Sequence, residues 1–150
     1  HDTRKRIELG YSEGKPHDGL VIGDYVYFTL TDGHIVIANK KTFATEEVID
    51  LNKISYKKSQ LGWCRGIEVS EDCAYVGFSS IRKSKFTEYG KWIIHGKKLP
   101  ARIAQYNLKS KQLKKEYEFT NHKGAAIFMV RKTESENINR PITLHSKLKN

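Results

Sequence analysis

The sequence predicts an all-β fold built from two consecutive four-stranded antiparallel units. Two observations carry that expectation. Short runs of β-branched and aromatic residues alternate with turn residues, as in Tyr25-Val-Tyr-Phe-Thr-Leu30 followed by Thr31-Asp-Gly33. The order of runs and turns in the first half then returns in the second, part of it without a gap.

Composition sets the outer bounds. The 150 residues fit one ordinary domain or two small ones, with about two-thirds of the unfolded surface available for burial. Apolar residues at 38% and charged residues at 29% make a polar chain, but not a disordered composition. No apolar run approaches the ~18 residues of a membrane helix, so no membrane partner is expected. Two cysteines exclude a disulfide-dense scaffold. The 27 Lys and Arg against 17 Asp and Glu leave a net charge of +10.

In chain order, Arg6-Ile-Glu-Leu9 reads as the end of a preceding unit over residues 3–9. His17-Asp-Gly-Leu20 opens the first strand of unit one. Tyr25–Leu30 and His34–Ala38 form a hairpin about Asp32-Gly33, a strong turn signal. Asn39-Lys-Lys-Thr42 is the next turn, and Glu46–Leu51 closes the unit at 17–51.

Unit two, 64–119, repeats this order. Arg102–Phe119 aligns without gaps on His34–Leu51, matching Ile103 to Ile35, Asn107 to Asn39, Lys109 to Lys41 and Ser110 to Thr42. Asp72-Cys-Ala-Tyr-Val76 matches Asp24-Tyr-Val-Tyr-Phe28, and Cys64-Arg-Gly-Ile67 matches His17-Asp-Gly-Leu20. The second period is 26 residues longer: 5 before Cys64, 1 in the first turn and 20 between the second and third strands. His122-Lys-Gly-Ala125 starts another unit over 122–130. Residues 131–150 read as a polar tail.

A repeat of about 40 residues with four strands is the pattern of a β-propeller blade. The quoted motifs, over about residues 3–130, resemble the six- or seven-bladed propellers of the YVTN, NHL and SMP-30-like type; the WD dipeptide of WD40 repeats is absent. A small antiparallel sandwich or barrel is the competing architecture. Two complete blades plus flanking strands are fewer than a closed ring needs. The chain is therefore expected to be a piece of a longer protein or to complete the ring by self-association.

The resemblance implies that first strands line a central channel. It places His17, Cys64 and His122 around one mouth, with Asp18, Arg65 and Lys123 beside them, each followed by glycine. Trp63 caps a blade junction or walls that mouth. The insertion at 80–100 falls on the same face and reads as a lid, with Arg82 and Lys85 for an anion and Phe86, Tyr89 and Trp92 for an apolar part. Arg65 would fork onto a carboxylate, phosphate or sulfate, while His17 and His122 supply hydrogen bonds. The same His, Cys and Trp also suit plain packing of blade junctions, and the lysines a solvated surface.

No cofactor is expected. A divalent metal is the lesser alternative, because His, Cys and His suit zinc or copper but arrive one per blade. Cys64 as a thiolate nucleophile beside Arg65 is a weaker one. His34 and His95 have no evident partner and read as surface residues. Cys64 and Cys73 stand at opposite ends of a strand and are not expected to pair; two unpaired thiols favour a reducing compartment such as the cytoplasm. The leading functional reading is a ligand-binding or sensing propeller for an anionic small molecule. The alternatives are a protein-interaction scaffold without catalytic activity and, third, a basic nucleic-acid-binding surface, for which no recognition motif is present.

Overall fold

The computed structural model describes residues 5–9, 14–55, 61–81, 99–121 and 125–133. Among the described residues the chain forms two four-stranded antiparallel sheets and no closed barrel. The first sheet runs in sequence order through β1 (Pro16–Ile22), β2 (Tyr25–Leu30), β3 (His34–Asn39) and β4 (Thr45–Asp50). One helical turn, α1 (Leu51–Ile54), follows. The second sheet repeats the meander in β5 (Trp63–Ser70), β6 (Cys73–Ser79), β7 (Arg102–Asn107) and β8 (Gln112–Glu118).

The gapless alignment of the third and fourth strands holds at the level of single hydrogen bonds. Ile37/Ala38 and Gln105/Tyr106, matching positions, each carry a β-bulge. The turns after them place Phe43 and Lys111 at φ 65° and 53°. Asn39 Oδ1 accepts from Thr42 N–H at 3.1 Å, and Asn107 Oδ1 from Ser110 N–H at 2.7 Å. Lys41 and Lys109 each reach the aspartate of the first hairpin, Asp24 or Asp72, at 3.0 Å. A short asparagine side chain that binds backbone N–H groups fixes such a turn locally, so the motif survives around different side chains.

Alternation along the strands builds the core. Sheet one turns Leu20, Tyr27, Ile35, Ile37 and Ile49 to one face; sheet two turns Cys64, Ile67, Val69, Ala74, Val76, Phe78, Ala104 and Tyr106 to one of its own. These residues form one cluster with Leu51 and Leu61. The first strand of sheet two, β5, lies against β1 and β2. Non-directional apolar burial joins the sheets, and α1 adds a polar tie between Ser55 Oγ and Tyr106 Oη at 3.3 Å.

Two expectations are corrected. Leu51 is not a strand end: Asp50 caps a helical turn by accepting from Asn52 N–H at 3.0 Å, and Leu51 drops into the core. Residues 5–9 and 125–133 lie outside any strand. The insertion at 80–100 lies between β6 and β7 as read, but 82–98 fall outside the described residues.

Candidate functional site

An antiparallel meander returns alternate strand ends to one edge. Pro16, Leu30, His34 and Asp50 are successive partners across sheet one, and Cys64, Phe78, Arg102 and Glu118 across sheet two. The sheets join at this edge: Cys64 N–H donates to the Thr31 carbonyl at 3.2 Å.

Both first strands are bulged here. The β1–β2 ladder skips His17, and the β5–β6 ladder skips Arg65 and Gly66. An extra residue on one strand re-aims its side chain out of the regular alternation. The Arg65 guanidinium lies between two aromatic rings, 5.2 Å from the Trp63 centroid and 4.6 Å from that of Phe128. His17 meets Trp63 edge-on, with centroids 6.4 Å apart and planes at 86°. Partial burial, and then the Arg65 charge, hold the His17 imidazole below its usual pKa, with Asp18 opposing both. The imidazole is therefore neutral at pH 7, while Arg65 carries the positive charge. Asp18 Oδ1 accepts from Gly19 N–H at 3.0 Å.

One hydroxyl ties these segments together. Thr29, fully buried on β2, donates to the Arg65 carbonyl at 2.6 Å and accepts from Asp18 N–H at 3.3 Å. On the other side, Ile127 N–H donates to Ser79 Oγ at 2.8 Å and the Ile127 carbonyl accepts from it at 3.1 Å. The chain there passes so close that a Cβ on Gly66 would sit 2.7 Å from Val130 N and 2.9 Å from the Met129 backbone. That approach, which only glycine permits without displacement, brings Phe128 onto Arg65.

The structure thus brings together His17, Asp18, Trp63 and Arg65. It places Cys64 elsewhere. Leu30 pairs with Pro16, and its counterpart Phe78 pairs with Cys64, so Cys64 matches Pro16 and Arg65 matches His17. The first hairpins have turns of equal length, Gly23-Asp24 and Glu71-Asp72; the extra residue expected there is absent. A shift of one residue exchanges the faces of a strand, and Cys64 is fully buried between the sheets. Burial, and then the Asp32 carboxylate, push its thiol well above the ordinary range, against a smaller opposing effect of Arg102. Such a thiol stays protonated and packs. Both cysteines are free. His122, Lys123, Arg82, Lys85, Phe86, Tyr89 and Trp92 lie outside the described residues, as does His95.

Several residues at this edge escaped the sequence reading. His34 is not a surface residue: it is buried, with Nδ1 3.1 Å from Asp32 Oδ1 and Nε2 3.7 Å from Asp50 Oδ1. Burial pushes the Asp50 carboxyl up, but His34, Asn52 and Lys53 together outweigh it and hold it below the usual value. At the matching position of sheet two, Arg102 is fully buried. Its Nε donates to Glu116 Oε1 at 3.0 Å and its guanidinium lies 4.6 Å from the Phe78 centroid, while Nη1 and Nη2 make no hydrogen bond among the described residues. The alignment of Arg102 on His34 was the available signal, since both put a polar cation-forming residue first in the third strand. Phe128 had none, because its place depends on the chain crossing Gly66.

Among the described residues no three of His, Cys, Asp and Glu gather as metal ligands, and no helix is long and apolar enough to cross a membrane. No protein-family model matches the chain, and no curated protein matches its sequence.

Proposed function

We propose that the chain is part of a β-propeller and that the bulged edge binds an anionic small molecule through Arg65. The observation that carries this reading is the placement of the Arg65 guanidinium between Trp63 and Phe128, with a neutral His17 beside it. Aromatic walls hold a guanidinium flat and limit its conformational freedom, so its planar fork is pre-organised for a carboxylate, phosphate or sulfate. Neutral His17 adds a hydrogen bond without a second charge, and the net charge of +10 draws anions in. Support for the architecture comes from two four-stranded meanders with matching bulges, packed first strand against first hairpin.

The test is a thermal-shift and calorimetric screen of carboxylates, inorganic phosphate and sulfate at fixed ionic strength, with Arg65→Met alongside. A specific anion at 100 times its Kd stabilises the native state by about 2.7 kcal/mol. The expected result is stabilisation by one anion class that Arg65→Met loses while keeping the wild-type circular dichroism spectrum. Equal stabilisation of both proteins, or of neither, overturns the reading.

A further inference from the structure

At the opposite end of sheet one, a shallow groove of about 430 Å³ is lined by Tyr25, Tyr27, Ile37, Glu46 and Glu47. It does not depend on the anion site. Glu46 and Glu47 are consecutive, and regular alternation would send their side chains to opposite faces. The β3–β4 ladder instead pairs Ile37 with Glu47 and Ala38 with Thr45, leaving Glu46 in the bulge. Both therefore line one concavity.

Two further observations bear on what the groove accepts. The Lys111 ammonium, from the β7–β8 turn of the other sheet, lies 2.6 Å from Glu47 Oε1. A cation is already what this rim receives. Second, the acidic pair is not demanded by the bulge itself. The matching bulge of sheet two holds Lys114 and Lys115, and the matches of Tyr25, Tyr27 and Ile37 are Cys73, Tyr75 and Gln105. Two carboxylates, two phenols and an apolar floor occur on sheet one alone, in a chain of net charge +10. Partial burial, and then the neighbouring Tyr25, raise the pKa of the Tyr27 phenol, so it remains neutral there.

We infer that this groove is a binding site for a small organic cation, a primary ammonium or guanidinium on a short apolar stem. The carboxylates take the charge, the tyrosine rings offer cation–π faces, and Ile37 with the ring edges covers the stem.

The experiment titrates the protein with n-butylammonium and with agmatine, against matched sodium chloride, following backbone amide shifts by NMR. The expected result is saturable shifts confined to the Tyr25–Tyr27, Ile37 and Glu46–Glu47 amides. Affinity for so small a probe is about millimolar. Glu46→Gln with Glu47→Gln should weaken it at least about tenfold, since together they remove both charge-assisted contacts to the cation, the half-buried Glu47 and the exposed Glu46. Lys111→Met, which takes away the competing ammonium without touching the groove wall, should tighten it several-fold. Shifts spread evenly over the acidic surface, unchanged affinity in the double variant, or weaker binding in Lys111→Met would each overturn the proposal.

Discussion

Thr29→Val isolates the hydroxyl on which the bulged edge depends. The side chains have nearly the same shape, so the packing of this fully buried position is kept. What is lost is the bond to the Arg65 carbonyl at 2.6 Å and the bond from Asp18 N–H at 3.3 Å. A buried polar group left without its partner costs about 1–3 kcal/mol. Both partners are only part-buried, so water recovers some of this and the expected loss is about 1–2 kcal/mol. For a chain of this length that corresponds to a fall in Tm of about 3–6 °C. Urea unfolding should show a lower midpoint at unchanged slope, because the exposed surface is the same. Amide exchange gives the local signature: the Asp18 N–H should lose protection in Thr29→Val and keep it in Thr29→Ser, which retains the acceptor. If Thr29→Val is as stable as the parent protein, or if Asp18 protection does not change, the hydroxyl is not what joins β1, β2 and β5.

Two other predictions follow from the same edge. The His17 imidazole should titrate below 6.5 by NMR, and Arg65→Met should move the midpoint upward because the second cause of the depression is gone while burial remains. The unfolded chain binds this proton more tightly than the folded one, so the contribution of His17 makes stability rise with pH between the folded midpoint and 6.5; an unshifted midpoint in Arg65→Met would break the link between the two residues. A small thiol reagent under native conditions should modify the partly exposed Cys73 and spare Cys64, which becomes reactive only on unfolding. Equal native rates would contradict the burial of Cys64 between the sheets.

The strands, their order and the hairpins could be read from residues because each is fixed over a short stretch. Tyr25–Leu30 and His34–Ala38 carry alternation and a turn signal within a few positions, and Asn39 and Asn107 close their turns with their own side chains. The candidate site was read in part. Arg65, Trp63, His17 and Asp18 do meet, because the repeated motifs that contain or adjoin them open the two first strands and those strands pack together. The pairing of Cys64 with His17 failed by one residue, because the two first hairpins have turns of equal length where the alignment placed an extra residue, and a shift of one exchanges the faces of a strand.

Residue order was therefore enough for the all-β character, the repeat and the location of the edge where charge and aromatic groups concentrate. It could not supply the Arg65–Phe128 stack, the Thr29 tie, the burial of His34 between Asp32 and Asp50, or the turning of Cys64 into the core. Apart from the local His34–Asp32 contact, these join segments distant in the chain, as Thr29 and Arg65 are at 36 residues or Ser79 and Ile127 at 48. Local propensity and periodicity act within a turn or a strand. Which distant surfaces meet is settled by the packing of whole sheets, and that packing selects among registers whose local preferences are nearly equal.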